Sequence, residues 1–390
     1  MDIEAIQAYL VEHDLDGWLM ADFHGRNDIA VSMLRLGGVL TRRSFYFIPD
    51  RGEPVALVHA VETGKFRGLS GRVIIYSGYG QLEHELQSIL DRKARIAMEY
   101  SPSGRLPYVG LVDAGTVELV RRLGVQIESS ADLVASFQAR LTPEQVAAHR
   151  IAARNLVEIK DTAFSYVAEA VRAGKSITEH DVCSFIKERF AEYDMHTASG
   201  PICAVDGHAG DPHYEPTAEH CAGIGPGQLV LIDMWARINT ELSVYADITW
   251  MAYTGARQDV PSKFQDIFSV LRRARDAAVA FLSKNLVARP VLGCEVDDVC
   301  RGVIEAAGYG RYFTHRTGHS ITTSEHGSGP NIDNLETEDR RKLQRGHLFS
   351  IEPGIYMTDC GFRTEINVLV SHEGCEVTTL PLQHDILPLL

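Results

Sequence analysis

The chain of 390 residues has no apolar run approaching the roughly 20 residues that cross a membrane as a helix. Its opening stretch, MDIEAIQAYLVEHDLDGW, carries acids where an export signal has a basic segment, and it lacks that signal's apolar core. Neither export nor membrane attachment is expected. Cysteine is sparse and unpatterned: Cys183, Cys203, Cys221, Cys294, Cys300, Cys360 and Cys375 make an odd number, with no C-x-x-C. In a chain this long that implies reduced thiols and a cytoplasmic compartment. It argues against a disulfide framework and against a cysteine-held zinc. Positive charge is short as well. The 38 Lys and Arg face 52 Asp and Glu, a net charge of -14, which argues against nucleic acid as a partner. No internal repeat or low-complexity tract is visible.

What is present suits two domains. An apolar fraction of 45% is enough to build cores without staples. Residues 3–13 have the spacing of a short amphipathic helix, and DGWLMAD reads as a strand after a turn. SFYFIP (44–49) and PVALVHAV (54–61) flank Asp-Arg-Gly, a hairpin signal. RVIIYS (72–77) and ARIAMEY (94–100) are further strands around a helical segment, so residues 1–140 are expected to form an α/β lobe. Thr142 as N-cap and Pro143 at the first helical position start a helix that Gly174 ends. Thr178 caps a second helix. Helices return at 261–283 and 295–307, and 311–375 reads as strand-like.

Two apolar runs in QLVLIDMWARINTELSVYADITWMAY each enclose one acid, Asp233 and Asp247. A buried lone carboxylate costs several kcal/mol unless it is paired or holds a metal. One such Asp is as readily a turn cap or a partner of Arg237; two on adjacent strands favour a metal. His315, His319 and His326 cluster in FTHRTGHSITTSEHG, and imidazole is a common metal ligand and proton carrier. Isolated histidines are mostly surface or core residues, so the cluster carries weight only with its neighbours. Glu352 precedes a Pro-Gly turn in HLFSIEPGIY, and Glu365 lies two residues after Arg363 in GFRTEINVLV. A plain ion pair with Arg363 is the competing reading there. Together, four carboxylates and one His form an oxygen-rich site suited to two divalent ions, most readily Mn²⁺, with Co²⁺, Zn²⁺ or Fe²⁺ admitted.

In order and surroundings these residues resemble the pita-bread metallopeptidases: prolidase, aminopeptidase P, methionine aminopeptidase and creatinase. That family's ligand order of Asp, Asp, His, Glu, Glu matches Asp233, Asp247, His319, Glu352 and Glu365. The phrases D-I-T, G-H, I-E-P-G-I-Y and R-x-E match as well. The resemblance implies an α/β (α+β) chain. A creatinase-like N-terminal lobe over 1–140 would precede a pita-bread catalytic domain over 141–390. It implies a dinuclear Xaa-Pro aminopeptidase or dipeptidase acting on small peptides as a homodimer. It further implies that a hydroxide between the metals attacks the scissile carbonyl, with Glu352 as proton shuttle. His213 and His326 would steady the oxyanion, and His315 and Arg363 would meet the substrate. The chain departs from the family in the longer segment 234–246, in D-M-W, D-I-T-W and SITTSEHG, and in E-I followed by Asn367. All of these are expected to line or flank the pocket and to bear on substrate choice. A creatinase-like hydrolase of a small amide or guanidino compound and a noncatalytic peptide-binding protein are the alternatives. Arg42 and Arg43 in TRRSFYFIP are either pocket or surface charges.

Overall fold

A computed structural model describes all 390 residues and divides them into two compact units, Met1–Gln138 and Ala139–Leu390. In the first, α1 (Ile3–Glu12) leads into β1 (Gly17–Asp22), α2 (Asp28–Met33) and the expected hairpin of β2 (Ser44–Pro49) and β3 (Val55–His59). Next come β4 (Arg72–Tyr76), α3 (Tyr79–Ile89) and β5 (Arg95–Met98). The unit closes with α4 (Ala114–Arg122), β6 (Gln126–Ser129) and α5 (Ala131–Phe137), which the sequence reading did not assign. α4 is short, and Asp113 starts it by accepting from the Thr116 amide. The strands form one sheet in the order β4-β3-β2-β1-β5-β6. Only β2 is antiparallel to its neighbours.

In the second unit, α6 (Pro143–Arg172) starts where expected, with Thr142 and Gln145 exchanging side-chain and backbone bonds. Thr178 and Asp181 do the same for α7 (Glu179–Glu192). Two short strands, β7 (Met195–His196) and β8 (Ile202–Val205), pair with one edge of β9 (Leu229–Ile238). On its other side β9 pairs with β10 (Ala246–Tyr253), placing Asp233 opposite Thr249 and Trp235 opposite Asp247. After α8 (Ser262–Asn285) and α9 (Gly293–Ala306) come β11 (Leu348–Ile351), β12 (Gly354–Tyr356), β13 (Gly361–Arg363), β14 (Ile366–Ser371) and β15 (Gly374–Val377). The last strand, β16 (Leu387–Pro388), joins the free edge of β10.

Both faces of β9 and β10 are buried, so the sequence there is almost wholly apolar. Successive side chains still alternate between faces. Val230, Ile232, Met234 and Ala236 pack with Ile248, Trp250 and Ala252 into one core that includes Leu156, Ile159 and Phe164 of α6. Leu229, Leu231, Trp235 and Met251 belong to the other core. Asp233, Asp247 and Thr249 fall on that second face by the same period. A one-residue slip would send all three toward α6.

The expected strand texture of 311–375 holds only from Leu348 onward. Between Phe313 and His347 the chain makes isolated bridges and no strand. Buried carboxylates take the place of a ladder there. Asp297 accepts from the Thr317 and Asn334 amides, and Asp333 from those of Leu335, Glu336 and Thr337. Asp339 accepts from Asn331 and Arg341. Buried amides need partners, and these acids supply them.

His149 of α6 is fully buried, with Nδ1 donating to the Tyr245 carbonyl at 2.7 Å and Nε2 2.7 Å from Thr378 Oγ1. Burial pushes its pKa from 6.5 down to about 4. The folded chain therefore resists protonating it while the unfolded chain does not. Its contribution is complete above pH 6.5 and is lost as pH falls toward 4, by roughly 3 kcal/mol at 1.36 kcal/mol per pKa unit. Urea unfolding at pH 7.5 and 4.5 checks this. The stability advantage of the parent over His149→Gln shrinks at the lower pH, and an advantage that stays constant contradicts it.

Candidate metal centre

Asp233, Asp247, His319, Glu352 and Glu365 line one cavity of about 230 Å³. His213, His315, His326 and Arg363 line the same cavity. Four of the five come from different strands or strand ends, and His319 comes from the irregular segment before β11. Asp233 and Asp247 lie on β9 and β10. Glu352 follows β11, with its amide bonded to the Thr317 carbonyl at 2.7 Å, and Glu365 precedes β14, with its amide bonded to the Thr249 carbonyl. His319 is held by an exchange with Ser350: the His319 amide donates to Ser350 Oγ, and the Ser350 amide to the His319 carbonyl, both at 2.9 Å. Gly318 makes that approach possible, because a Cβ there would lie 1.9 Å from the Ser350 carbonyl oxygen.

Within the cavity, one ligand atom each from Asp247, His319 and Glu365 falls within 4.8 Å of the others. His319 Nε2 stands 3.6 Å from Asp247 Oδ2 and 3.4 Å from Glu352 Oε1. Ser350 Oγ donates to the same Glu352 oxygen at 3.0 Å. Thr249 Oγ1 lies 2.9 Å from both Asp233 Oδ1 and Glu365 Oε2, and accepts from Arg363 Nε at 3.1 Å. One hydroxyl proton serves only one of those carboxylates at a time. Asp247 Oδ1 and Glu365 Oε1 are buried with no hydrogen-bond partner at all.

Buried anions this short of donors repel one another. Burial, then the neighbouring Glu365 carboxylate, raises the Asp247 pKa well above the ordinary range. Burial, then Glu352, does the same to Glu365. The imidazoles move the other way and stay neutral: burial and nearby His326 bring His319 down to about 3. Burial holds His315 at about 4. Neutral imidazole and orphaned carboxylate oxygens are the donor set that divalent cations accept. The residues therefore fit a metal.

The other expected site residues differ in how free they are. The His326 ring stacks edge-on to His319 with 4.3 Å between centroids, and its side chain is 58% exposed. His213 is exposed, its amide bonded to Asp211. His315, in contrast, has both ring nitrogens engaged, Nδ1 with the Arg316 carbonyl at 2.6 Å and Nε2 with Tyr356 Oη at 2.8 Å. A carbonyl only accepts, so Nδ1 carries the proton and Nε2 accepts from Tyr356. Arg363 is 4% exposed and gives Nη1 to Tyr356, Nε to Thr249 and Nη2 to Asp233.

Several participants stood in the sequence reading only within the departing segments, without a role of their own. Glu325 lines the cavity, and burial followed by Asp233 raises its pKa to about 7. Its position in the departing segment SITTSEHG was the only available signal. Asn367 clamps Asp247, accepting from its amide at 2.9 Å and donating to its carbonyl at 2.8 Å. Trp235 lines the cavity with its indole N–H unpartnered. The expectation that every departure flanks the pocket is corrected at Trp250. It lies on the α6 face, where its ring takes the Lys160 ammonium at 3.6 Å, because residues 233 and 250 have opposite parity across the β9–β10 pair.

The sequence profile of metallopeptidase family M24 matches residues 152–372, over half of the chain. The chain belongs to metallopeptidase family M24. M24 membership and the folded layout agree with solved structures along nearly the whole length. Dipeptidase PepE from Mycobacterium ulcerans superposes with a TM-score of 0.76 at 22% identity, covering 99% of this chain and 96% of that one. The prolidase from Pyrococcus horikoshii OT3 gives 0.66 at 20%, covering 98% and 99%. The N-terminal domain of FACT complex subunit SPT16 from chickpea gives 0.68 at 11%, covering 97% and 95%. At these identities the likeness is one of fold: the M24 pita-bread unit with an N-terminal domain before it. An uncharacterized peptidase of Staphylococcus aureus is 27% identical over 229 residues, 58% of this chain. The match spans 59% of that relative's length.

Proposed function

We propose that this M24 chain is an exopeptidase that holds two divalent ions, most readily Mn²⁺, and cleaves Xaa-Pro bonds in small peptides. Asp233, Asp247, His319, Glu352 and Glu365 are the proposed ligands. The observation that carries the reading is the pair of buried, partnerless oxygens, Asp247 Oδ1 and Glu365 Oε1, beside the neutral imidazole of His319. Bound ions would supply Lewis acidity toward the scissile carbonyl and bring the pKa of water near 7. The chain's own residues do the rest. Glu352, steadied by Ser350 Oγ, takes a proton and passes it to the leaving nitrogen. His326 and His213, both reachable from solvent, donate to the developing oxyanion; one such donor is worth about 3–4 kcal/mol. His315 and Arg363 act by holding Tyr356 and Asp233 in place.

A smaller, nonpeptide amide is the second reading, favoured by the cavity of about 230 Å³ and by Trp235 in its wall. That volume is below the roughly 300 Å³ at which drug-sized ligand sites begin. One panel separates the two. The Mn²⁺-loaded chain is assayed against Xaa-Pro dipeptides, Xaa-Pro tripeptides, the matching Xaa-Ala peptides and creatine. Proline-dependent cleavage is expected. Equal rates on the alanine series, or cleavage of creatine alone, would refute proline specificity.

A further inference from the structure

A second and larger cavity, about 770 Å³, lies wholly within the Met1–Gln138 unit. The topology explains it. The chain lays down β1 to β4 outward in one direction, then returns to place β5 on the far side of β1. In open parallel sheets, the crevice beyond the carboxyl ends of the strands at such a reversal is where ligands bind. The walls come from that edge: Asp22 at the end of β1, His59 at the end of β3, Tyr76 and Ser77 at the end of β4, and Val112 and Asp113 after β5.

The crevice is built rather than incidental. Asp22 accepts from the Gly25 and Asn27 amides, and Asn27 Nδ2 donates to the Ala21 carbonyl and to the buried Glu99 at 2.7 Å. The loop that carries Arg26 is thus pinned at both ends. Asp113 is likewise taken up by the Thr116 amide and hydroxyl. Glu83 pairs with Arg122 at 3.4 Å. The acids of the wall are therefore spoken for, while Arg26 and Arg43 have no carboxylate within ion-pair distance. Phe23, Phe45, Tyr76, Tyr79 and Leu119 line the same cavity, and the Arg26 guanidinium lies 6.0 Å from the Phe23 ring centroid. Unpaired guanidinium groups suit an oxyanion such as a carboxylate or sulfonate, and the aromatic walls suit a flat apolar body. The volume is in the range of small-molecule sites, about 300–1,000 Å³.

We propose that this crevice is a ligand site of the N-terminal unit that binds a small organic anion with an aromatic body, through Arg26 and Arg43.

Calorimetric titration of the full Mn²⁺-loaded chain tests it, with naphthalene-1-sulfonate as the probe and uncharged 1-naphthylmethanol as its control. Saturable binding at one site per chain is expected for the sulfonate. Arg43→Ala and Arg26→Ala each weaken it by about ten-fold, the usual scale for one hydrogen bond to a charged group, and the alcohol binds weaker by at least as much. Arg43→Lys recovers part of the loss, which separates charge from packing. Thermal unfolding of each variant verifies that the unit remains folded. No saturable binding to the parent chain, affinities unchanged in both alanine variants, or an alcohol that binds as tightly as the sulfonate would each overturn the proposal.

Discussion

Glu352→Gln leaves the chain folded and lowers peptide turnover by about 1,000-fold, within the 100- to 10,000-fold range of a lost acid–base group. The substitution keeps the shape of the side chain, removes its capacity to carry a proton and takes one carboxylate from the proposed ligand set, so turnover is read at saturating Mn²⁺. Ser350 Oγ still has an oxygen to bond, and the Glu352 amide still reaches the Thr317 carbonyl, so the turn after β11 is undisturbed. Two readouts separate chemistry from collapse. The melting temperature of the variant stays within a few degrees of the parent, while kcat falls and KM changes little. Turnover like that of the parent removes Glu352 from the mechanism.

Metal removal has the second large effect, and its sign is set by the shifted groups. Asp247 and Glu365 have folded pKa values raised well above their unfolded values by burial and by neighbouring carboxylates. In the metal-free chain their contribution to stability is present below the unfolded values, about pH 4, and is lost as pH rises toward the folded ones. Cations reverse the preference by favouring the ionised form, so their binding releases protons. The stabilisation conferred by Mn²⁺ is therefore larger at pH 8 than at pH 6. Its scale is about 4 kcal/mol for each site when the free ion is at 1,000 times its Kd. Melting curves of chelator-treated and Mn²⁺-loaded protein at the two pH values measure it. A gap that narrows with rising pH contradicts the assignment of Asp247 and Glu365.

The cavity-lining acids were legible because each interrupts an apolar strand, where a carboxylate has no cheap reason to be. Period-two alternation then puts Asp233 and Asp247 on one face. Burial alone does not distinguish a metal-poised acid from a structural one. Asp297, Asp333 and Asp339 are as deeply buried, yet they spend their oxygens on backbone amides of an irregular segment. Glu179 does the same for Val205 and Ala222. The partners of Asp297 and Glu179 are set by tertiary contact and leave no pattern in the sequence, while Asp333 takes amides of the residues that follow it. Ser350, which orients His319 and Glu352, was hidden, since a hydroxyl inside a strand has no periodic signature, while Thr249 and Asn367 stood in the sequence as parts of motifs without an assigned role. Trp250 was misplaced by proximity in the chain to Asp247, although strand parity turns it toward α6. In the N-terminal unit the long strands and the hairpin were readable, while α4, β6 and α5 are too short for periodicity to declare them.

The most direct test is a metal count. After loading with Mn²⁺ and exhaustive dialysis, elemental analysis of the parent chain gives about two ions per chain, the number that four carboxylates and one imidazole are suited to screen. Asp247→Asn, whose fold is checked by its melting curve, retains fewer. Parent protein that holds close to no metal, or a variant that holds as much as the parent, contradicts the claim that these side chains form a dinuclear centre.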